Sequence, residues 1–201
     1  MLAAPTPTDP DAALLDAAGR GDADAVTVAL RAGAHLDTRD AAGRTPLLLA
    51  SAGDHVAAAR VLVALGADPD VYDGRRDTPW LVTGVTGSVA MADVLLPVHP
   101  DLSLTNRFGG VSIIPASERG HAAYVRRVAA AGIDVNHVND LGWTALLEAV
   151  ILGDGGPAHQ DVVAALLGAG ADPRIADRDG VTALEHARRR GQAAVVAQLG
   201  G

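Results

Sequence analysis

The stretch Thr45-Pro-Leu-Leu-Leu-Ala50 returns along the chain at a fixed step. It comes back as Thr78-Pro-Trp-Leu-Val-Thr83, Val111-Ser-Ile-Ile-Pro-Ala116, Thr144-Ala-Leu-Leu-Glu-Ala149 and Thr182-Ala-Leu-Glu-His-Ala187, and Ala12-Ala-Leu-Leu-Asp-Ala17 fits the same frame upstream. The copies start at 12, 45, 78, 111, 144 and 182, so four steps are 33 residues and the last is 38. A second landmark keeps the same beat: Gly33-Ala-His35, Gly66-Ala-Asp68, His99-Pro-Asp101, Gly132-Ile-Asp134 and Gly170-Ala-Asp172. Two independent landmarks with one period identify a repeat array, in which each unit is a supersecondary element that needs its neighbours to bury its apolar face. The five extra residues of the long step, Asp154-Gly-Gly-Pro-Ala158, fall inside the fifth unit and are expected to form an exposed loop extension.

Each unit reads as two short helices. Thr followed by Pro suits a helix start, the hydroxyl capping the first turn and Pro needing no N–H there. Glycines 21, 87, 120, 153 and 191 break the chain before the second helix. The Gly-x-Asp landmark ends that helix and begins a turn. Asp40, Asp73 and Asp177 share another turn position, where a carboxylate bonds nearby backbone N–H groups. Much of the acidity is therefore architectural.

Composition fits this reading. The chain is 49% hydrophobic but only 2% aromatic, so its apolar content is Ala, Val and Leu, suited to close helix packing. Cys is absent, which excludes disulfides and thiolate chemistry. All 16 basic residues are Arg and Asp far outnumbers Glu, a bias that points to a GC-rich bacterial genome. The net charge of -8 argues against nonspecific nucleic-acid binding, which needs a basic footprint. No apolar run approaches the ~18–20 residues of a membrane span. Residues 1–10 lack the features of a signal peptide, so they are expected to be a disordered tail before a single domain over 11–201, in a cytoplasmic, monomeric protein.

Period and signature together resemble the ankyrin repeat, whose pattern is Thr-Pro-Leu-His-x-Ala. The resemblance covers nearly the whole chain. It implies an all-α solenoid of six helix-turn-helix repeats with β-hairpin-like tips. The stretch Asn136 to Gly156 is also similar to small bacterial ankyrin-repeat proteins. One departure is regular: Leu15, Leu48, Leu81, Ile114 and Leu147 replace the signature His, and Glu185 does so in the last unit. The family uses that His for bonding between repeats, so apolar packing is expected to join the repeats here. Arg188-Arg-Arg190 reads as a polar cap.

Catalytic and metal chemistry find little support. His55, His121 and His159 share one repeat position, where the family pattern carries a structural His. No His-x-x-x-His pair or Cys/His cluster offers a zinc site. Gly153-Asp-Gly-Gly-Pro157 lacks the Lys and Ser/Thr of a phosphate loop, and no strand precedes it. Nothing assembles a nucleophile, a base and an orienting group. No enzyme activity, cofactor or metal is expected.

The resemblance places partner binding on the concave face and the hairpin tips. The candidates for binding another protein are Tyr72, Arg75, Asp77, Arg107, Phe108, Glu118, Arg119, Leu141, Trp143, Glu148, Ile151 and Leu152. Three of the five aromatic residues, Tyr72, Phe108 and Trp143, fall on tips, while Trp80 and Tyr124 fall at core positions. Large apolar groups in water and Arg beside them are typical of binding patches. Two alternatives compete with this. The tip aromatics could fold onto the next repeat, or the groove around Glu118, Arg119, Trp143 and Glu148 could hold a small ligand or substrate. A closed pocket of ~300–1,000 Å³ favours the ligand, and an open trough favours a protein.

Overall fold

The computed structural model describes residues 9–201. The expected N-terminal tail lies outside the described residues, apart from Asp9 and Pro10. Asp9 caps the first helix by accepting from Asp11 N, and Pro10 opens it, one residue before the expected domain start.

Among the described residues, twelve α-helices follow in six pairs: α1 (Pro10–Arg20) with α2 (Ala23–Arg31), α3 (Pro46–Ala52) with α4 (Val56–Ala64), and α5 (Leu81–Thr86) with α6 (Val89–Leu95). Then come α7 (Ile113–Glu118) with α8 (Ala122–Ala129), α9 (Ala145–Ile151) with α10 (Pro157–Gly168), and α11 (Ala183–Arg189) with α12 (Ala193–Gln198). The odd-numbered helices stack on one another in order, and so do the even-numbered ones, giving two layers. No strand forms among the described residues, only an isolated bridge between Ala176 and Thr182. The molecule is an all-α solenoid.

The sequence signals do their expected work. Thr45, Thr78, Thr144 and Thr182 accept from the backbone N–H three residues on, at 3.0–3.4 Å. Leu48, Leu81, Ile114 and Leu147 are buried, so the departure from the signature His is filled by apolar packing. Leu15 is only half-buried and Glu185 is exposed, as suits the end units. Trp80 and Tyr124 are fully buried.

The shared histidine position is structural. His55 Nε2 lies 3.0 Å from the carbonyl of Gly19, and His159 Nε2 lies 2.9 Å from that of Glu118. Each ring reaches back to the end of the preceding unit's first helix. His121 lies so close over Gly87 that a Cβ at residue 87 would come within 2.3 Å of the ring. Gly87 is also left-handed, with φ 68°. Both facts require glycine there. Asp54 takes the equivalent left-handed place in the second unit, with φ 54°.

The insert differs from the expected loop. Pro157 and Ala158 belong to α10, which runs 12 residues, so the extra length lengthens a helix as well as a turn. Pro157 is a good first helical residue, which is why the helix grows backwards into the insert. Asp154 is exposed, but Gly155 packs against Gln192, its Cβ position lying 2.6 Å from that side chain.

Candidate functional site

Between the first helices and the projecting turns runs a groove. One part of it has a volume of about 480 Å³ and is lined by residues from Ala52 of the second unit to Leu152 of the fifth. A shallower depression of about 340 Å³ continues it towards the second unit, sharing Ala52, Arg75, Asp77 and Val82. The volume falls in the range of ligand sites. The shape does not, because the cavity is open to solvent on one side and runs on along the array.

The turn wall is built by one repeated device. Asp40, Asp73, Asn106, Asn139 and Asp177 each accept from the backbone N–H groups two and four residues on, at 2.8–3.1 Å. A backbone bond from the same residue's N–H to the carbonyl four residues on closes each turn. Neighbouring turns are tied, Gly74 N donating to Ala42 O at 2.9 Å and Asp140 N to Phe108 O at 3.0 Å. Arg178 adds a bond to the carbonyl of Asp140. The wall is therefore fixed, and side chains on it are presented from a rigid base.

In the last two units the turn residue also reaches the first helix of its unit, whereas in the second unit Asp40 Oδ2 is taken by Arg44 of the same turn. In the fifth unit, Asn139 Nδ2 donates to Glu148 Oε1 at 2.7 Å. In the sixth, Asp177 Oδ2 lies 2.7 Å from His186 Nε2. Glu148 and His186 occupy the same repeat position. Each helix residue thus meets a turn residue that complements it, since Asn can donate where a second carboxylate would repel.

Glu148 is the unusual group. It is 7% exposed, and its carboxyl is pushed up to about 7, first by burial and then by the neighbouring charge of Glu118. The bond from Asn139 opposes this only in part. No donor among the described residues reaches Oε2, and Glu148 lines the groove. Above it, Phe108 and Leu141 stand on adjacent turns at 53% and 51% exposure. Leu152 and Val85 add exposed apolar surface from the helix side. The Arg107 guanidinium lies 4.4 Å from the Phe108 ring centroid, a stacking that steadies both, and reaches Asp77 at 3.7 Å. Burial raises Asp77, with Asp73 adding to the effect. Arg75 and Arg119 line the groove without an ion pair among the described residues.

Nine of the twelve candidate residues come together here: Arg75, Asp77, Arg107, Phe108, Glu118, Arg119, Leu141, Glu148 and Leu152. The other three lie elsewhere. The Tyr72 hydroxyl donates to Thr105 O at 3.0 Å, its own carbonyl accepts from Arg39, and Arg76 lies over its ring. Trp143 and Ile151 are half-buried and pack against the core. The tip aromatics therefore divide: Tyr72 and Trp143 lean on the array, and Phe108 is more than half exposed, with Arg107 over one face of its ring. Sequence reading missed Asn106 and Asn139. The signal was available, because 106 and 139 continue the 33-residue beat of Asp40 and Asp73.

Among the described residues no group of three or more His, Asp or Glu side chains is placed to hold a metal ion. No described helix is long and apolar enough to cross a membrane. The ankyrin repeat family model matches residues 42–74 and 141–178. The chain is 40% identical over 176 residues to the ankyrin repeat protein YahD of Escherichia coli (strain K12), covering 87% of this chain and 88% of that protein. A solved ankyrin repeat domain from Acinetobacter baumannii AYE superposes with a TM-score of 0.87 at 45% identity, over 92% of this chain and 95% of the other. The human ASB11 ankyrin repeat domain superposes with a TM-score of 0.81 at 25% identity, over 92% of this chain and 81% of that domain.

Proposed function

The chain belongs to the ankyrin repeat family, and from that premise we propose that it is a non-enzymatic adaptor that holds a segment of another protein in the concave groove. Ankyrin repeats are in general protein–protein interaction scaffolds. The observation that carries the reading is Phe108 with Leu141, two apolar side chains more than half exposed on adjacent, mutually bonded turns. Exposed apolar groups in one patch are unfavourable unless something covers them. The groove's extension along several units favours an extended protein segment over a compact ligand. The net charge of -8 speaks against nucleic acid as the occupant.

The test uses a random peptide display library panned against the full chain. Affinities of the selected peptides are then measured on Phe108→Ala, Leu141→Ala and, as an exposed apolar control outside the groove, Val28→Ala. The groove variants should each lose ~2 kcal/mol, as hot-spot residues do, about 30-fold in affinity. Val28→Ala should bind like the parent. Equal binding by all three variants would remove the groove as the site.

A further inference from the structure

Glu148 is a buried acid with an unfinished set of partners. One oxygen is bonded to Asn139, and the other faces the groove with no donor. Burying a carboxylate is unfavourable unless a charge or hydrogen bonds compensate. Glu118, one unit away on α7, lines the same cavity and adds a second negative charge. The nearby cations do not answer this need. Arg107 is engaged by Asp77 and the Phe108 ring, and Arg119 forms no ion pair among the described residues. On the flanking helices, His186 of α11 is held by Asp177, and His159 of α10 by Asp154 and the Glu118 carbonyl. A cation brought in from outside would complete Glu148 and relieve its repulsion with Glu118 at once.

We propose that Glu148 and Glu118 form a subsite for one basic side chain, lysine or arginine, of the protein segment that lies in the groove. This rests on the groove reading above and adds to it the chemistry of one partner residue. The long aliphatic stem of Lys or Arg would cross the apolar rim of Phe108 and Leu141, leaving its charged end at the carboxylates on the floor. Asn139 positions Glu148 by holding Oε1, so that Oε2 is the oxygen left for the ligand. Arg75 and Arg119 at the rim would repel a second basic residue beside the first, so the segment carries a single cation flanked by apolar or acidic neighbours.

Peptides selected from the same library should carry Lys or Arg at one shared position. Replacing that residue by norleucine keeps the stem and removes the charge. On the parent chain at pH 8 the replacement should weaken binding about tenfold or more, the scale of a charge-assisted bond. On Glu148→Gln, which preserves the acceptor for Asn139, the same replacement should change affinity by less than threefold. At pH 5.5, where Glu148 is protonated, the parent's preference should shrink in the same direction. Equal preference on the parent and on Glu148→Gln overturns the subsite. Binding that depends on Phe108 but shows no preference for a basic side chain overturns the subsite and leaves the groove reading intact. Peptides that bind without depending on Phe108 or Leu141 overturn both.

Discussion

Thr83 stands where the other five units carry alanine. Its Oγ1 donates to the Trp80 carbonyl at 2.6 Å and lies 2.6 Å from the Tyr124 hydroxyl, so the phenol donates to it. Burial pushes that phenol up to about 12. The signature is broken at Thr83 because a buried hydroxyl from the next unit needs an acceptor. Thr83→Ala should cost ~1–3 kcal/mol by removing the phenol's acceptor and leaving it only Ser112. Adding Tyr124→Phe should recover part of that, and urea unfolding of both singles and the double measures the coupling. Strict additivity would mean the two hydroxyls do not depend on each other. This pair was half legible in the sequence. Tyr124 falls at a core position and could be read as buried, but the exception at Thr83 has no meaning until the neighbouring unit is in place. Tyr72 and Trp143 teach the same lesson from outside. Their tip positions follow from the 33-residue step, whereas their leaning on the array depends on contacts between units that periodicity does not encode.

At the scale of elements, helix starts and the stacking surface were readable because both are local chemistry. Thr caps, Pro in the first turn and Leu at the signature His position each act within one unit and repeat. Leu81→Ala should therefore cost ~2–5 kcal/mol, since the side chain is only 3% exposed and its loss would open a cavity. Wild-type stability in denaturant would contradict that packing. The insert was less readable, because whether a Pro begins a helix or interrupts a loop depends on what it docks against. Ala158 lies against Gly120, and Gly155 against Gln192, so the segment touches both neighbouring units. Deleting residues 154–158 removes the first two residues of α10 and these contacts but leaves His159 to hold the Glu118 carbonyl. The expected cost is ~1–2 kcal/mol, a few degrees in a thermal melt for a chain of this size. A loss several times larger would make the insert a structural key between units five and six.

For the whole molecule, each unit's stability passes to its neighbours through stacked interfaces, so one perturbed group registers in the unfolding of the array. Glu148 is that group. Its carboxyl has an ordinary value of 4.5 and is raised to about 7 in the fold, so the folded chain binds this proton more tightly than the unfolded chain. Its contribution is fully present below pH ~4.5 and is lost as pH rises through about 7, where the folded chain must carry a buried charge. The window is separate from that of Asp11, Asp40, Asp101, Asp154, Asp172 and Asp177, whose lowered carboxyls contribute only to stability lost in more acidic solution. Full conversion of the shift at ~1.4 kcal/mol per pKa unit overstates the effect, since the groove leaves one oxygen near water, and about 2 kcal/mol is the discounted expectation. The measurement is urea unfolding of the parent and of Glu148→Gln at pH 5 and pH 8. Taking the difference between the two proteins cancels the histidines, which titrate in the same window in both. The parent should lose about 2 kcal/mol more than Glu148→Gln on going from pH 5 to pH 8. Parallel pH dependence would mean that Glu148 ionises as a solvated acid does, and that the groove floor carries no strain for a partner's charge to relieve.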